Sequence, residues 1–157
     1  MIQTFMRNGK IINVLYVDDE LNNLQGFKAN FRRYYNVFTA LSAEDAKLIL
    51  AETEIHVLIT DQRMPITSGT QMLEEVINEY PLQTRILLTA YAENEAIIDA
   101  FQRGLIYKYI IKPYNQEDLK QLIEHAYEVY SLKLLKEALY KELLSSIQEL
   151  ISTPKNS

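Results

Sequence analysis

The chain has 157 residues, 48% of them hydrophobic and 24% charged, with a net charge of −5 and a pI near 5.1. A chain this long and this apolar buries a substantial core, so whole-chain disorder is excluded, and the acidic balance argues against a phosphate backbone as the main partner. With no Cys and only two His residues, His56 and His125, disulfides, thiol chemistry and Cys- or His-rich zinc sites drop out.

The first predicted element is a buried strand over 11–17, short and rich in β-branched residues. Leu21, Leu24, Phe27, Ala29 and Phe31 then recur at near-helical spacing within 20–34. A second strand covers 37–40, and Ser42 is placed to cap a helix carrying Ala46, Leu48, Ile49 and Leu50. A third strand covers 55–60. Pro65 and Gly69 punctuate the loop after it, and Met72, Leu73, Val76 and Ile77 mark the next helix. A fourth strand covers 85–89. The helix that follows shows Ala96, Ile97, Ala100 and Phe101 on one stripe and ends at Gly104. A fifth strand over 107–111 is closed by Lys112-Pro113, and a last helix starts near Gln116.

Strands alternating with helices predict an α/β fold: a parallel sheet covered on both faces, with right-handed crossovers. Strands this apolar fit burial on both sides. The tail differs. Leu132, Leu135, Leu139, Leu143, Ile147 and Leu150 step by three or four, and no Gly or Pro intervenes before Pro154. One helix of roughly 35 residues, about 50 Å long, is predicted. Its second half has no sheet to lean on, so its apolar stripe needs a partner, the simplest being the same helix of another copy. Heptads are not sustained, and a long regular coiled coil is not implied. The expected organisation is an N-terminal extension over 1–10, an α/β domain over 11–127 and an extended C-terminal helix over 128–157. No apolar run approaches the roughly 18 residues of a membrane span. Asp18-Asp19-Glu20 follows the first strand where a signal peptide would carry small residues. A cytoplasmic protein with no membrane partner is expected.

Open parallel sheets bind ligands outside the carboxyl ends of their strands. Those ends carry Asp18-Asp19, Asp61, Thr89-Ala90 and Lys112-Pro113. Three carboxylates, a hydroxyl and an ammonium therefore converge on one rim. Two carboxylates 4 Å apart repel by roughly 4 kcal/mol at an effective dielectric near 20, so such a cluster holds protons or a cation. All-oxygen ligands favour a hard ion such as Mg²⁺, and a carboxylate beside it can act as a nucleophile toward phosphorus. Each signal alone has a plainer meaning: an Asp-Asp after a strand is usually a helix cap, and a strand-end Thr is usually a satisfied hydroxyl. Four of them on four correctly ordered strand ends point to phosphoryl chemistry.

Over 11–127 the sequence resembles a receiver domain of the two-component response regulators. The matching stretches are Val17-Asp18-Asp19-Glu20, Thr60-Asp61-Gln62-Arg63-Met64-Pro65 with Gly69, Leu87-Leu88-Thr89-Ala90, and Tyr109-Ile110-Ile111-Lys112-Pro113. The resemblance implies a flavodoxin-like, doubly wound five-stranded sheet of order 2-1-3-4-5. It makes Asp61 the phosphoacceptor and Asp19 a Mg²⁺ ligand, with Asp18 acting through water and the Arg63 backbone carbonyl as a further ligand. Thr89 and Lys112 would bond the phosphoryl oxygens, and Tyr109 would swing between exposed and buried rotamers as Thr89 moves. A cis bond before Pro113 is also implied. The partners implied are a sensor histidine kinase or histidine phosphotransfer protein and a downstream protein target. A homodimer would form through the C-terminal helix or the face of the fourth helix and fifth strand.

Asp61-Gln62-Arg63-Met64-Pro65 with Gly104-Leu105-Ile106-Tyr107 resembles the subgroup often fused to HD-GYP phosphodiesterase or kinase modules, though nothing within these 157 residues resembles an HD-GYP module. The side chains of Arg63 and Tyr91 are expected to line the approach to the phosphoryl group and tune its lifetime. The leading expectation is a signalling switch and not an enzyme, beyond accepting and slowly losing its own phosphoryl group. An alternative is the input module of a longer regulator with an HD-GYP, cyclase or kinase output. A Mg²⁺-dependent aspartyl-phosphate phosphatase would need an acid where Arg63 stands, and a phosphorylation-independent scaffold would not need the full set of Asp19, Asp61, Thr89 and Lys112. His56 is expected to be structural and His125 to lie at the surface. Tyr34-Tyr35 and Tyr127/Tyr130 are interface candidates. Arg7 and Lys10 are too sparse for nucleic-acid binding.

Overall fold

The structure, a computed structural model, describes residues 11–90 and 94–153. The expected N-terminal extension and Tyr91 lie outside the described residues. The elements alternate: β1 (Asn13–Val17), α1 (Leu21–Phe31), β2 (Asn36–Ala40), α2 (Ala43–Glu52), β3 (Val57–Asp61), α3 (Gly69–Val76), β4 (Thr84–Thr89), α4 (Glu95–Gln102), β5 (Lys108–Ile111) and α5 (Gln116–Ser152). The strands form one parallel sheet in the order β2-β1-β3-β4-β5. This is the flavodoxin-like, doubly wound arrangement the resemblance implied.

The period of two along the strands sorts the core into two layers. Val14 and Tyr16, Val57 and Ile59, and Ile86 and Leu88 face α1 and α5, where Phe27, Phe31, Leu119, Ile123 and Ala126 meet them. Leu15, Val17, Leu58 and Leu87 face the other way onto α2, α3 and α4. Fully burying one such side chain contributes about 1.5–3 kcal/mol, so the three central strands dominate the stability of the sheet. The two edges differ from expectation. β5 is largely exposed and β2 only half-buried, because an edge strand has a neighbour on one side and less helix above it.

Helix starts and stops follow local chemistry. Ser42 caps α2 by accepting from the Asp45 amide. Ser68 and Gln71 form a reciprocal capping box at α3. Gly104 takes φ +73° just past α4, the left-handed turn that ends a helix and favours Gly. Arg85 is buried, and its guanidinium donates to the carbonyls of Leu105, Gln83 and Tyr80, fixing the loops before β4 and β5. The Lys112–Pro113 bond is cis.

α5 runs unbroken for 37 residues. Its last buried residue is Tyr130. The six stripe residues of the tail, Leu132 to Leu150, are all 42–79% exposed. The tyrosines correct an interface expectation. Tyr35, Tyr127 and Tyr130 are buried in the α1/α5 layer, and Tyr34 packs against it. His56 sits just before β3 and is buried. Its Nδ1 accepts the Asn13 amide, and its ring meets those of Tyr127 and Tyr130, a structural role as expected. His125 is exposed. No helix among the described residues is long and apolar enough to cross a membrane.

Candidate functional site

Parallel pairing puts every strand's carboxyl end on one edge, and the register aligns them closely. Val17 pairs with Thr60, Asp61 with Leu88 and Thr89 with Ile111. The residues just past those ends therefore meet. Carboxylate oxygens of Asp18, Asp19 and Asp61 lie within 4.8 Å of one another. The Lys112 ammonium stands 3.1 Å from Asp18 Oδ2 and 3.3 Å from Asp61 Oδ1. A cavity of about 300 Å³ opens above them, lined among others by Asp19, Asp61, Arg63, Thr89 and Lys112.

Each member is held differently. Asp18 is wholly buried and is bonded on all sides: the Tyr16 hydroxyl donates at 2.6 Å, the Glu20 amide at 2.9 Å and the Asn23 amide group at 3.1 Å. Burial by itself would raise its pKa, but these donors and Lys112 outweigh it and hold the carboxyl below the usual range. Asp61 is the opposite case. Burial pushes its carboxyl up, Lys112 draws it down, and the charge of Asp18 pushes it up again, leaving it above the usual value. Burial would lower the Lys112 ammonium, yet Asp61 and Asp18 raise it, so it stays charged. Asp19 is exposed at the mouth, and Thr89 is buried in the wall.

Three carboxylates against one ammonium leave excess negative charge on an all-oxygen donor set. That chemistry fits a hard divalent ion better than a soft metal. Asp18, Asp19, Asp61, Thr89 and Lys112 are thus brought together as the sequence suggested. Tyr109 is not among the cavity residues. It lies on edge strand β5 opposite Leu87, 43% exposed. Glu20 and Asn23 also line the cavity, and Tyr16 supports Asp18 from below. Asn23 carried a usable signal, since it falls on the first turn of α1 beside the Asp pair. Tyr16 carried none, because its alternation marks it only as core.

A family model for the response regulator receiver domain matches residues 14–124. The hydrogenase transcriptional regulatory protein HoxA of Bradyrhizobium diazoefficiens is 32% identical over 120 residues, which is 76% of this chain and 25% of that protein. The chain thus spans about a quarter of the length of this curated relative. Among solved structures, adenylate cyclase from Rhodopirellula baltica superposes with a TM-score of 0.80 at 26% identity, covering 84% of this chain and 98% of that one. The response regulator protein TrrA from Thermotoga maritima, in complex with Mg²⁺-BeF, gives a TM-score of 0.67 at 26% identity, covering 74% and 99%.

Proposed function

The chain belongs to the response regulator receiver family, the phosphoaccepting switches of two-component signalling, and we propose that Asp61 is the residue it phosphorylates. The observation that carries this reading is the acidic triad with Lys112 bonded to two of its members. Receivers take their phosphoryl group from histidine kinases and act on downstream targets. The donor proposed here is a sensor histidine kinase or a histidine phosphotransfer protein. One Asp61 oxygen forms the new P–O bond as the donor's P–N bond breaks, and the departing imidazole keeps the electron pair of that bond.

Family members use Mg²⁺ at this pocket, and here Asp19, Asp61, Asp18 through water and the Arg63 carbonyl would hold it. When bound, the ion supplies charge neutralisation for the phosphoryl oxygens. Lys112 stays beside Asp61 and pairs with the incoming phosphoryl group, and the Thr89 hydroxyl donates to it from the wall. The product carries up to about two added negative charges. Thr89 moving toward that charge frees space that Tyr109 fills. This biases the α4–β5 surface, where Ile98, Phe101, Tyr109 and Ile111 are exposed.

Output would follow through protein contact on that face, through the α5 tail, or both, in a cytoplasmic setting. Receivers are switches and not enzymes in the usual sense. Self-phosphorylation from a small phosphodonor and slow self-dephosphorylation are the activity proposed here, with Arg63 at the mouth setting the lifetime. A second reading also fits the quarter of its relative that the chain covers and the exposed tail: the input module of a longer regulator. No nucleic-acid contact is assigned to the stretch present here.

Incubation with acetyl phosphate and Mg²⁺ followed by intact mass measurement is expected to add one phosphoryl group to the wild type and none to Asp61→Asn. Equal labelling of the two would refute the assignment. Ending the chain after Glu137 removes Leu139, Leu143, Ile147 and Leu150 from the stripe. It should leave labelling unchanged while converting a self-associating species to a monomer in light scattering. An unaltered oligomeric state would remove the tail from the assembly.

A further inference from the structure

A second concavity lies at the opposite end of the sheet, away from the acidic triad. It has a volume of about 560 Å³ and is walled by the residues between α2 and β3, the residues between α3 and β4, and α5 where that helix leaves the domain. Such a volume lies within the range of small-molecule sites.

Four carboxylates border it, Glu52, Glu54, Glu79 and Glu137, and none of its lining residues is Lys or Arg. Glu54 accepts the Tyr130 hydroxyl at 2.6 Å and stands 3.6 Å from His56 Nε2, and Glu137 pairs with Lys141 one turn on. Glu52 and Glu79 are exposed, and no ion pair is formed by either among the described residues. The walls between these acids are apolar and aromatic, with Tyr80, Tyr130, Leu82 and Leu134 among them.

An acidic rim alone says little. The decisive feature is Gln83, which lines the same groove, is 3% exposed, and has a buried Oε1 with no hydrogen-bond partner. Its backbone is pinned, the amide to Tyr80 and the carbonyl to Arg85. A buried acceptor without a donor costs free energy that an incoming N–H group recovers. Negative charge, aromatic faces and an acceptor in want of a donor together specify a positively charged N–H donor on an apolar body. They disfavour an anion, although Lys133 and Lys136 stand beside the groove on α5, and the carbon-rich walls disfavour a bare metal ion, which needs oxygen on most sides.

We propose that this groove binds a small aliphatic diamine or polyamine, one ammonium donating toward Gln83 and another held by Glu52 and Glu79. The site does not depend on Asp61. Since Tyr130, Leu134 and Glu137 belong to α5, the ligand would tie the departing helix to the loops before β3 and β4.

The test uses the full chain with Mg²⁺ in excess, so that the acidic triad is already neutralised, and with putrescine and spermidine as probes. Tetramethylammonium chloride at matched ionic strength supplies the same charge without an N–H donor. Spermidine should raise the melting temperature and perturb the Gln83 side-chain amide resonances, and tetramethylammonium should do neither. Gln83→Leu removes the acceptor and should weaken the amine about tenfold, as should the paired exposed changes Glu52→Gln and Glu79→Gln. Asp61→Asn should bind as the wild type does. Shifts of equal size with tetramethylammonium, shifts surviving in both groove variants, or shifts lost in Asp61→Asn would each overturn the proposal. So would binding of a lysine-rich peptide without binding of the free amines.

Discussion

Gly69→Ala is expected to cost about 2–4 kcal/mol of stability and to slow phosphorylation of Asp61 at the same time. Gly69 opens α3, and its amide donates to the Gln62 carbonyl. A Cβ placed there would run into the backbone carbonyl oxygen of Asp61 and lie 3.1 Å from both its carbonyl carbon and Leu87 Cδ1. Neither neighbour gives easily, since one is backbone at the end of a central strand and the other is a packed core side chain. The need for glycine here is one of close approach and not of backbone angle. Chemical denaturation gives the first effect and the rate of mass gain from acetyl phosphate the second. A variant as stable and as readily labelled as the wild type would mean that α3 does not press on the acceptor strand.

Lys112→Met should show the other large effect, with a dependence on Mg²⁺ that identifies its cause. The ammonium lies between Asp18, wholly buried, and Asp61, mostly buried. Removing one partner of such a group leaves uncompensated charge, at a cost of about 3 kcal/mol. Mg²⁺ binding only the folded state at a hundred times its dissociation constant adds about 2.7 kcal/mol, and the wild type gains from the ion as well. The variant lacks the ammonium that repels the ion and should bind it more tightly, so its deficit relative to the wild type should be largest in chelator and should narrow in excess Mg²⁺. The pH dependence has a definite sign. Asp18 has a folded pKa below its unfolded value, so its contribution is complete above the ordinary aspartate range and is lost as the pH falls through the folded value. Asp61 is shifted upward and works against folding at neutral pH, a penalty that disappears below the ordinary range. The gap between wild type and Lys112→Met should then be widest near neutrality and close in acid, where both carboxylates are protonated. Denaturant midpoints taken with and without Mg²⁺ across that range decide it.

Much of this arrangement was legible in the sequence, for identifiable reasons. Short β-branched runs ending in Asp, Thr or Lys announce parallel strands and place those residues on one rim. Topology alone then gathers Asp18, Asp19, Asp61, Thr89 and Lys112. What topology does not give is which neighbour donates to which oxygen. The bond from Tyr16 to Asp18 joins a core position to a site position two residues on, and nothing in the alternation of β1 separates Tyr16 from a simple packing residue. The tyrosines of α5 misled for a related reason. Tyr127 and Tyr130 follow Ile123 and Ala126 on the face turned to the sheet, so their rings complete the domain instead of meeting a partner. Edge exposure at β2 and β5 was hidden because strand composition does not reveal sheet position. Gln83 is legible only in three dimensions, since its lack of a partner is a property of the fold around it.

The continuity of α5 has a mechanical consequence. Root and tip belong to one unbroken helix, buried as far as Tyr130 and mostly exposed beyond it. The stretch past Tyr130 projects by roughly 33 Å, so a pivot of about 10° at the root sweeps the tip through some 6 Å. The tail is a lever arm. Displacements at its seat too small to disturb packing become large enough at its far end to align or separate whatever is joined there.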